Sequence, residues 1–153
     1  MLEIDCFSLE KPDGPYETWP EKAMLLKNGI STGYQIPGYD IERQFKFDEI
    51  YFLVTAYDCP FEEQCSFLLL DRDYKVIVRK DLIPWHYNSW NLKSHCYLGK
   101  LQFTFTFYSD YSVKITLFPY KKGRFAKRIV IHKPRSKMNK KLRQYFFGFL
   151  NSH

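Results

Sequence analysis

The sequence predicts a mainly β fold of the α+β class: an antiparallel sheet or sandwich of about six to seven strands, with one amphipathic helix packed on it at the C-terminal end. Three observations lead there. Fourteen Phe, twelve Tyr and three Trp in 153 residues supply the side chains that suit a pleated, half-buried surface. From Phe45 onward, short runs alternate in polarity and are separated by polar turns. The last segment then shifts to a period near 3.6. A chain of this length fits one domain with a core of its own. Within it, 1–44 reads as an irregular arm, 45–132 as the β body and 136–150 as the helix.

Leu2 to Leu9 fits a short first strand. Pro12, Gly14, Pro15 and Pro20 then punctuate the chain. Glu21 to Lys27 fits a helical turn or a short strand, and Gly29, Gly33, Pro37 and Gly38 interrupt anything longer. Tyr16, Trp19, Tyr34 and Tyr39 give this arm the means to pack on the body. Phe45 to Tyr57 reads as a central strand covered on both sides: Ile50, Phe52, Val54 and Ala56 share one parity, and Tyr51, Leu53 and Thr55 the other. Pro60 ends it, because proline cannot donate to a ladder. Cys65 to Leu70 and Tyr74 to Lys80 form a hairpin across the polar link Asp71-Arg72-Asp73. Asp81 to His95 reads as a long irregular loop, of a kind that often carries function.

Leu101 to Tyr108 and Tyr111 to Phe118 make a second hairpin. Leu101, Phe103, Phe105 and Phe107 face the core, as do Val113, Ile115 and Leu117. Arg124 to His132 adds a strand with Phe125, Ile129 and Ile131 inward. Pro134 stops this strand, and Ser136 is the N-cap of the helix. Met138, Leu142, Tyr145, Phe146, Phe149 and Leu150 fall on one face of that helix.

The net charge of +6 is the sum of two unlike regions. Residues 121–143 hold eleven Lys and Arg and no Asp or Glu; residues 1–120 hold twelve basic and seventeen acidic residues, a net −5 (12 − 17). Such a split implies two binding faces, or one face neutralising the other. The longest apolar runs, such as Phe67 to Leu70, fall far short of the roughly 20 residues that cross a bilayer, so no membrane span is expected. Glu3 and Asp5 interrupt the N-terminus where a secretory leader would be apolar. Cys6, Cys59, Cys65 and Cys96 lack metal-ligand spacing and are too few for a disulfide scaffold. Free thiols in the cytoplasm are expected, with no metal and no cofactor.

For chemistry, His86 and His95 could supply an acid and a base from one loop, but their spacing alone specifies nothing. Neighbours in an extended chain point to opposite sides, so Glu62-Glu63 is poorly placed as a catalytic pair. Gly-x-Ser-x-Gly, phosphate-loop and His-Glu-x-x-His motifs are missing. No enzyme is expected. Acidic residues Asp58, Glu62, Glu63, Asp71 and Asp73, beside the aromatic Trp85, Tyr87 and Trp90, form a candidate protein-binding surface, with rings as anchors and carboxylates for steering. The alternative is a nucleic-acid interface on Arg124, Lys127, Arg128, Lys133 and Arg135, since basic residues among aromatics are how sheets hold single strands.

The stretch Asp58-Cys59-Pro60-Phe61-Glu62-Glu63, followed by Phe67-Leu68-Leu69-Leu70-Asp71, resembles the strand–loop–strand core of immunity proteins from bacterial polymorphic-toxin and contact-dependent inhibition systems. The resemblance covers about residues 45–118. It implies a cytoplasmic inhibitor that binds one cognate protein, the toxin domain, and plugs the active site of a nuclease or similar enzyme.

Overall fold

The computed structural model describes residues 1–57, 64–82, 92–99, 101–107, 112–118 and 129–132. These form twelve strands: β1 (Leu2–Glu3), β2 (Phe7–Leu9), β3 (Lys22–Lys27), β4 (Ile30–Pro37), β5 (Asp40–Phe47), β6 (Ile50–Ala56), β7 (Cys65–Leu70), β8 (Val76–Leu82), β9 (Leu92–Gly99), β10 (Gln102–Phe107), β11 (Ser112–Leu117) and β12 (Ile129–His132). They pair antiparallel into three sheets. The orders are β1-β5-β6-β7-β8, β12-β11-β10-β9 and β2-β3-β4.

The three sheets stack as layers, and the five-stranded sheet is the middle one. Its first face carries Phe45, Phe47, Phe52, Val54, Phe67 and Leu69, which pack on Phe103, Phe105, Phe107, Val113, Ile115 and Ile129 of the four-stranded sheet. Its second face carries Tyr51, Leu53, Leu68 and Leu70, which pack on Phe7, Leu25 and Ile36 of the three-stranded sheet. Apolar residues on both parities of β6 and β7 are the sequence cause: each parity has its own layer to meet. All six residues of β7 are buried. At about 1.5–3 kcal/mol per fully buried large apolar side chain, this strand holds both cores to the middle sheet.

The body thus matches the expected antiparallel β class, with more strands than expected. The run from Phe45 to Tyr57 is not one strand. Asp48 and Glu49 turn the chain between β5 and β6, with Asp48 in the left-handed region at φ 51°. The arm over 1–44 is not irregular. It holds β1 to β4 and the start of β5, and supplies the whole third layer. Asn28-Gly29, with φ of 50° and 79°, closes the β3–β4 hairpin as a primed two-residue turn. The stretch 81–95 is also more regular than expected, since β8 runs to Leu82 and β9 begins at Leu92. Among the described residues the only helical element is a 3-10 turn, Tyr16–Thr18; the helix expected over 136–150 lies outside them.

The expected first strand, Leu2 to Leu9, is divided between two layers. β1 pairs with β5 in the middle sheet and β2 pairs with β3 in the outer one. The crossing between them needs hydrogen-bond partners, and Gln44 supplies them. Its Oε1 accepts from the backbone N–H of Cys6 at 3.0 Å and of Phe7 at 2.9 Å. Its Nε2 donates to the Phe7 carbonyl at 3.1 Å. A side-chain amide thereby stands in for a peptide unit of a neighbouring strand, and Gln44 is buried, 7% exposed.

Replacing Gln44 with Leu strands two buried donors and one acceptor, and should lower unfolding stability by about 2–4 kcal/mol in urea titrations. Gln44→Glu keeps the acceptor but sets an oxygen against the Phe7 carbonyl, and should fall between wild type and Gln44→Leu.

Candidate partner-binding site

Ala56, Cys65 and Leu82 are register partners, Ala56 with Cys65 and Cys65 with Leu82. They form one row across the end of three neighbouring strands, about 10 Å wide at the usual strand spacing. The segment carrying Asp58, Glu62 and Glu63 joins β6 to β7 at this row, and the segment carrying Trp85, Tyr87 and Trp90 leaves β8 from it. Those six residues themselves lie outside the described residues, as do Arg124, Lys127, Arg128, Lys133, Arg135 and His86.

Asp71 and Asp73 are elsewhere. They sit in the β7–β8 turn, at the opposite end of the six-residue strand β7, about 20 Å from the row. Asp71 serves the fold itself. Its Oδ1 accepts from the backbone N–H of Asp73 and of Lys75, both at 3.0 Å, and so fixes the turn. Asp73 faces Arg72 at 3.6 Å in an exposed pair, a kind of contact that contributes little.

At the row, the described residues build an ordered aromatic and charged cluster. Tyr57 follows Ala56 and is buried. Its hydroxyl donates to the Glu21 carbonyl at 2.8 Å. Its ring meets Tyr39 edge-on, with centroids 5.1 Å apart. Tyr39 in turn meets Trp19 at 5.0 Å and Tyr16 at 6.0 Å, again edge-on, the arrangement that ring quadrupoles favour. The Tyr39 hydroxyl donates to the Pro20 carbonyl at 2.9 Å, and the Trp19 indole to the Gly14 carbonyl at 3.0 Å. The 3-10 turn and the chain after it are thereby pinned to the end of the sheet. Gly38 allows the close approach: with φ 101°, a Cβ there would lie 2.9 Å from the Ala56 carbonyl oxygen.

On the β8 side, Asp81 Oδ1 accepts from Ser66 Oγ and from Arg79 Nε, each at 2.7 Å. Ser66 is buried, while Arg79 and Asp81 stay partly exposed. Trp19 and Tyr16 are half-buried. Two of the three residue types that dominate binding hot spots, Trp and Tyr, therefore meet here beside a held Arg, the third. Rings and guanidinium are ordered in advance, which reduces the entropy lost on association. The sequence did signal part of this, since Tyr16, Trp19 and Tyr39 pack on the body as expected; Tyr34 does not and is 37% exposed. The signal for Arg79 and Asp81 was their shared parity on β8.

A second polar feature lies on the β1/β5 side, beside a cleft of about 480 Å³ lined by Glu3, Ile4, Asp5, Ile41, Glu42, Arg43 and Gln44. Arg43 Nε donates to His95 Nδ1 at 2.9 Å, and the Glu3 carboxylate lies 3.6 Å from His95 Nε2. Because an Arg Nε always carries its hydrogen, Nδ1 is the acceptor and Nε2 holds the ring proton toward Glu3. Both nitrogens of His95 are thus engaged in joining the edges of two sheets. Among the described residues, no group of three or more His, Cys, Asp or Glu is placed to hold a metal ion. Comparison of the chain with protein-family models, with curated proteins and with solved structures finds no match.

Cys6, Cys65 and Cys96 are free thiols, and burial pushes Cys65 far above its ordinary range. Alkylation of the native protein at neutral pH should label Cys96 readily and Cys65 only on unfolding, as read by mass spectrometry. Burial also raises the Tyr57 phenol. Its protonated form is favoured in the folded state, so its contribution is intact below the unfolded value of about 10 and is lost as pH rises through the folded one. Wild-type melting temperature should fall more steeply above about pH 10 than that of Tyr57→Phe.

Proposed function

We propose that this chain is a stoichiometric inhibitor of the immunity type, which binds a cognate toxin domain, a nuclease or similar enzyme, through the end of the middle sheet. The observation that carries this reading is the row at Ala56, Cys65 and Leu82. The strand ends that bear the acidic and the aromatic segments stand side by side there. They are flanked by the ordered ladder of Tyr57, Tyr39, Trp19 and Tyr16 and by the Arg79–Asp81 pair. Asp58, Glu62 and Glu63 then supply steering toward a basic partner, in keeping with the net −5 (12 − 17) of residues 1–120. Asp71 and Asp73 drop out of this face, because they lie at the far end of the sheet. Three free thiols fit a reducing cytoplasm.

The test is affinity capture from the native lysate with the tagged full chain, washed at low and then high salt. One protein retained at high salt in a one-to-one ratio is expected. Arg79→Ala should weaken that complex by at least about 10-fold, as hot-spot truncations do, without changing the tagged protein's melting temperature by more than a few degrees; Trp19→Ala should weaken it as much, measured well below that variant's own, lowered melting temperature. Retention of nucleic acid alone, lost as salt rises, would reject this reading in favour of the basic segment 121–143.

A further inference from the structure

The fold leaves one sheet edge unlike the others. Among the described edge strands, β8 carries Arg79, Lys80 and Asp81. β4 is interrupted by Gly33 at φ 78°. β12, β2 and β1 have four, three and two residues. Charge, interruption and shortness are the usual protections of an edge against pairing with another chain. β9 has eight residues, and Lys93, Ser94, Cys96, Tyr97 and Leu98 are exposed, on both parities. Register shifts at Lys93 and Leu98 bracket a regular stretch, Ser94 to Tyr97. That stretch has no Asp, Glu, Lys or Arg, and its histidine, His95, is turned inward onto Arg43 and Glu3. Exposed apolar side chains gather on the same side of the molecule. Tyr97 is 44% and Leu98 50% exposed on β9, and Met1 is 42% and Leu2 65% exposed at β1, whose Glu3 touches His95.

We propose that β9 pairs antiparallel with β9 of a second copy of this chain, about a two-fold axis at Cys96, joining two four-stranded sheets into one. Residues directly opposite in an antiparallel pair share a face, so an axis perpendicular to the sheet passes through a residue position. With the axis at Cys96, Tyr97 meets His95 of the second copy, Leu98 meets Ser94 of the second copy, and the two Cys96 side chains meet each other. No like charges face one another, which is the conflict that ordinarily keeps identical strands apart. The neutrality of the stretch is what favours a second copy over a foreign strand, because it offers no charge for a foreign strand to select. The surface is isologous, as a two-fold dimer requires. A short paired edge with four apolar side chains sits at the small end of stable interfaces, so a dimer of about micromolar strength is expected. The end of the middle sheet stays free, and each dimer presents two copies of it.

The test is sedimentation equilibrium of the full chain from about 1 to about 200 µM, spanning the expected dissociation constant, together with a short bis-maleimide cross-linker. Wild type should pass from monomer to dimer and cross-link through Cys96. Cys96→Ser should lose the cross-link and keep the dimer. Ser94→Lys combined with Leu98→Lys should raise the dissociation constant at least about 10-fold at an unchanged melting temperature. If the double variant does not fold, Cys96→Lys, which sets two lysines opposite each other at an exposed position, gives the same reading. A wild type that stays monomeric over the whole range overturns the proposal, whatever foreign partner it binds. So does a dimer that a folded charge variant leaves intact.

Discussion

Two-sided burial of the middle sheet is the constraint on which everything else depends. Strands β6 and β7 have no solvent face, so every polar group they bring in must be answered inside the protein. Backbone groups are answered by the ladder. Only a few side chains break the apolar pattern, and each is accounted for: Thr55 donates to the Pro37 carbonyl at 2.8 Å, and Ser66 donates to Asp81. On the neighbouring strand β5, the buried Gln44 lets the N-terminal strand leave one layer and enter another without stranding its amides. That exchange joins the third layer to the second alongside the apolar contact of Phe7, Leu25 and Ile36 and the hydrogen bonds of Thr55 to Pro37 and of Lys27 to Tyr74.

How much of this was legible can be judged element by element. The alternation in Leu101 to Tyr108 and Tyr111 to Phe118 was unambiguous because these strands have one dry and one wet face, and the inward residues are the ones expected. The continuous apolar run before Pro60 correctly implied cover on both sides. It also concealed the Asp48-Glu49 turn, because apolar residues on both parities of β6 mask the switch of this core face from odd (Phe45, Phe47) to even (Phe52, Val54) positions. In the N-terminal arm, Gly29 was weighed as a breaker, whereas Asn28-Gly29 together is the strongest short-range sign of a hairpin. Taken singly, the glycines of the arm carry only the breaker signal. Division of Leu2 to Leu9 between layers had no local signal, since it depends on a glutamine about 38 residues away along the chain.

The site was legible by residue type and not by place. Tyr, Trp and carboxylates were recognised as binding material, but the sequence could not say which end of a hairpin each occupied. Register decides this: Cys65 and Leu82 are paired at one end of β7, and Leu70 and Val76 at the other. Asp71, counted with the binding face on composition, is committed to its own turn. Tyr57 and Tyr39, by contrast, carry hydroxyls whose partners are backbone carbonyls of the arm. The ladder is therefore part of the fold as well as part of the surface, and the half-exposed Trp19 at its outer end is the portion available for recognition.

The order in which the layers occur along the chain bears on synthesis. The β3–β4 hairpin and the β5–β7 meander are local and can form as they leave the ribosome. All four strands of the sheet that covers Phe45, Phe52 and Phe67 come after residue 91. Until the last of them emerges, a wall of aromatic rings is uncovered on a nascent chain, a state prone to aggregation and suited to chaperone capture. Translation that stalls or terminates before about residue 132 would leave a nearly complete middle sheet with one face bare, so the amount of protein obtained in a cell should depend on finishing the chain promptly as well as on the stability of the finished fold.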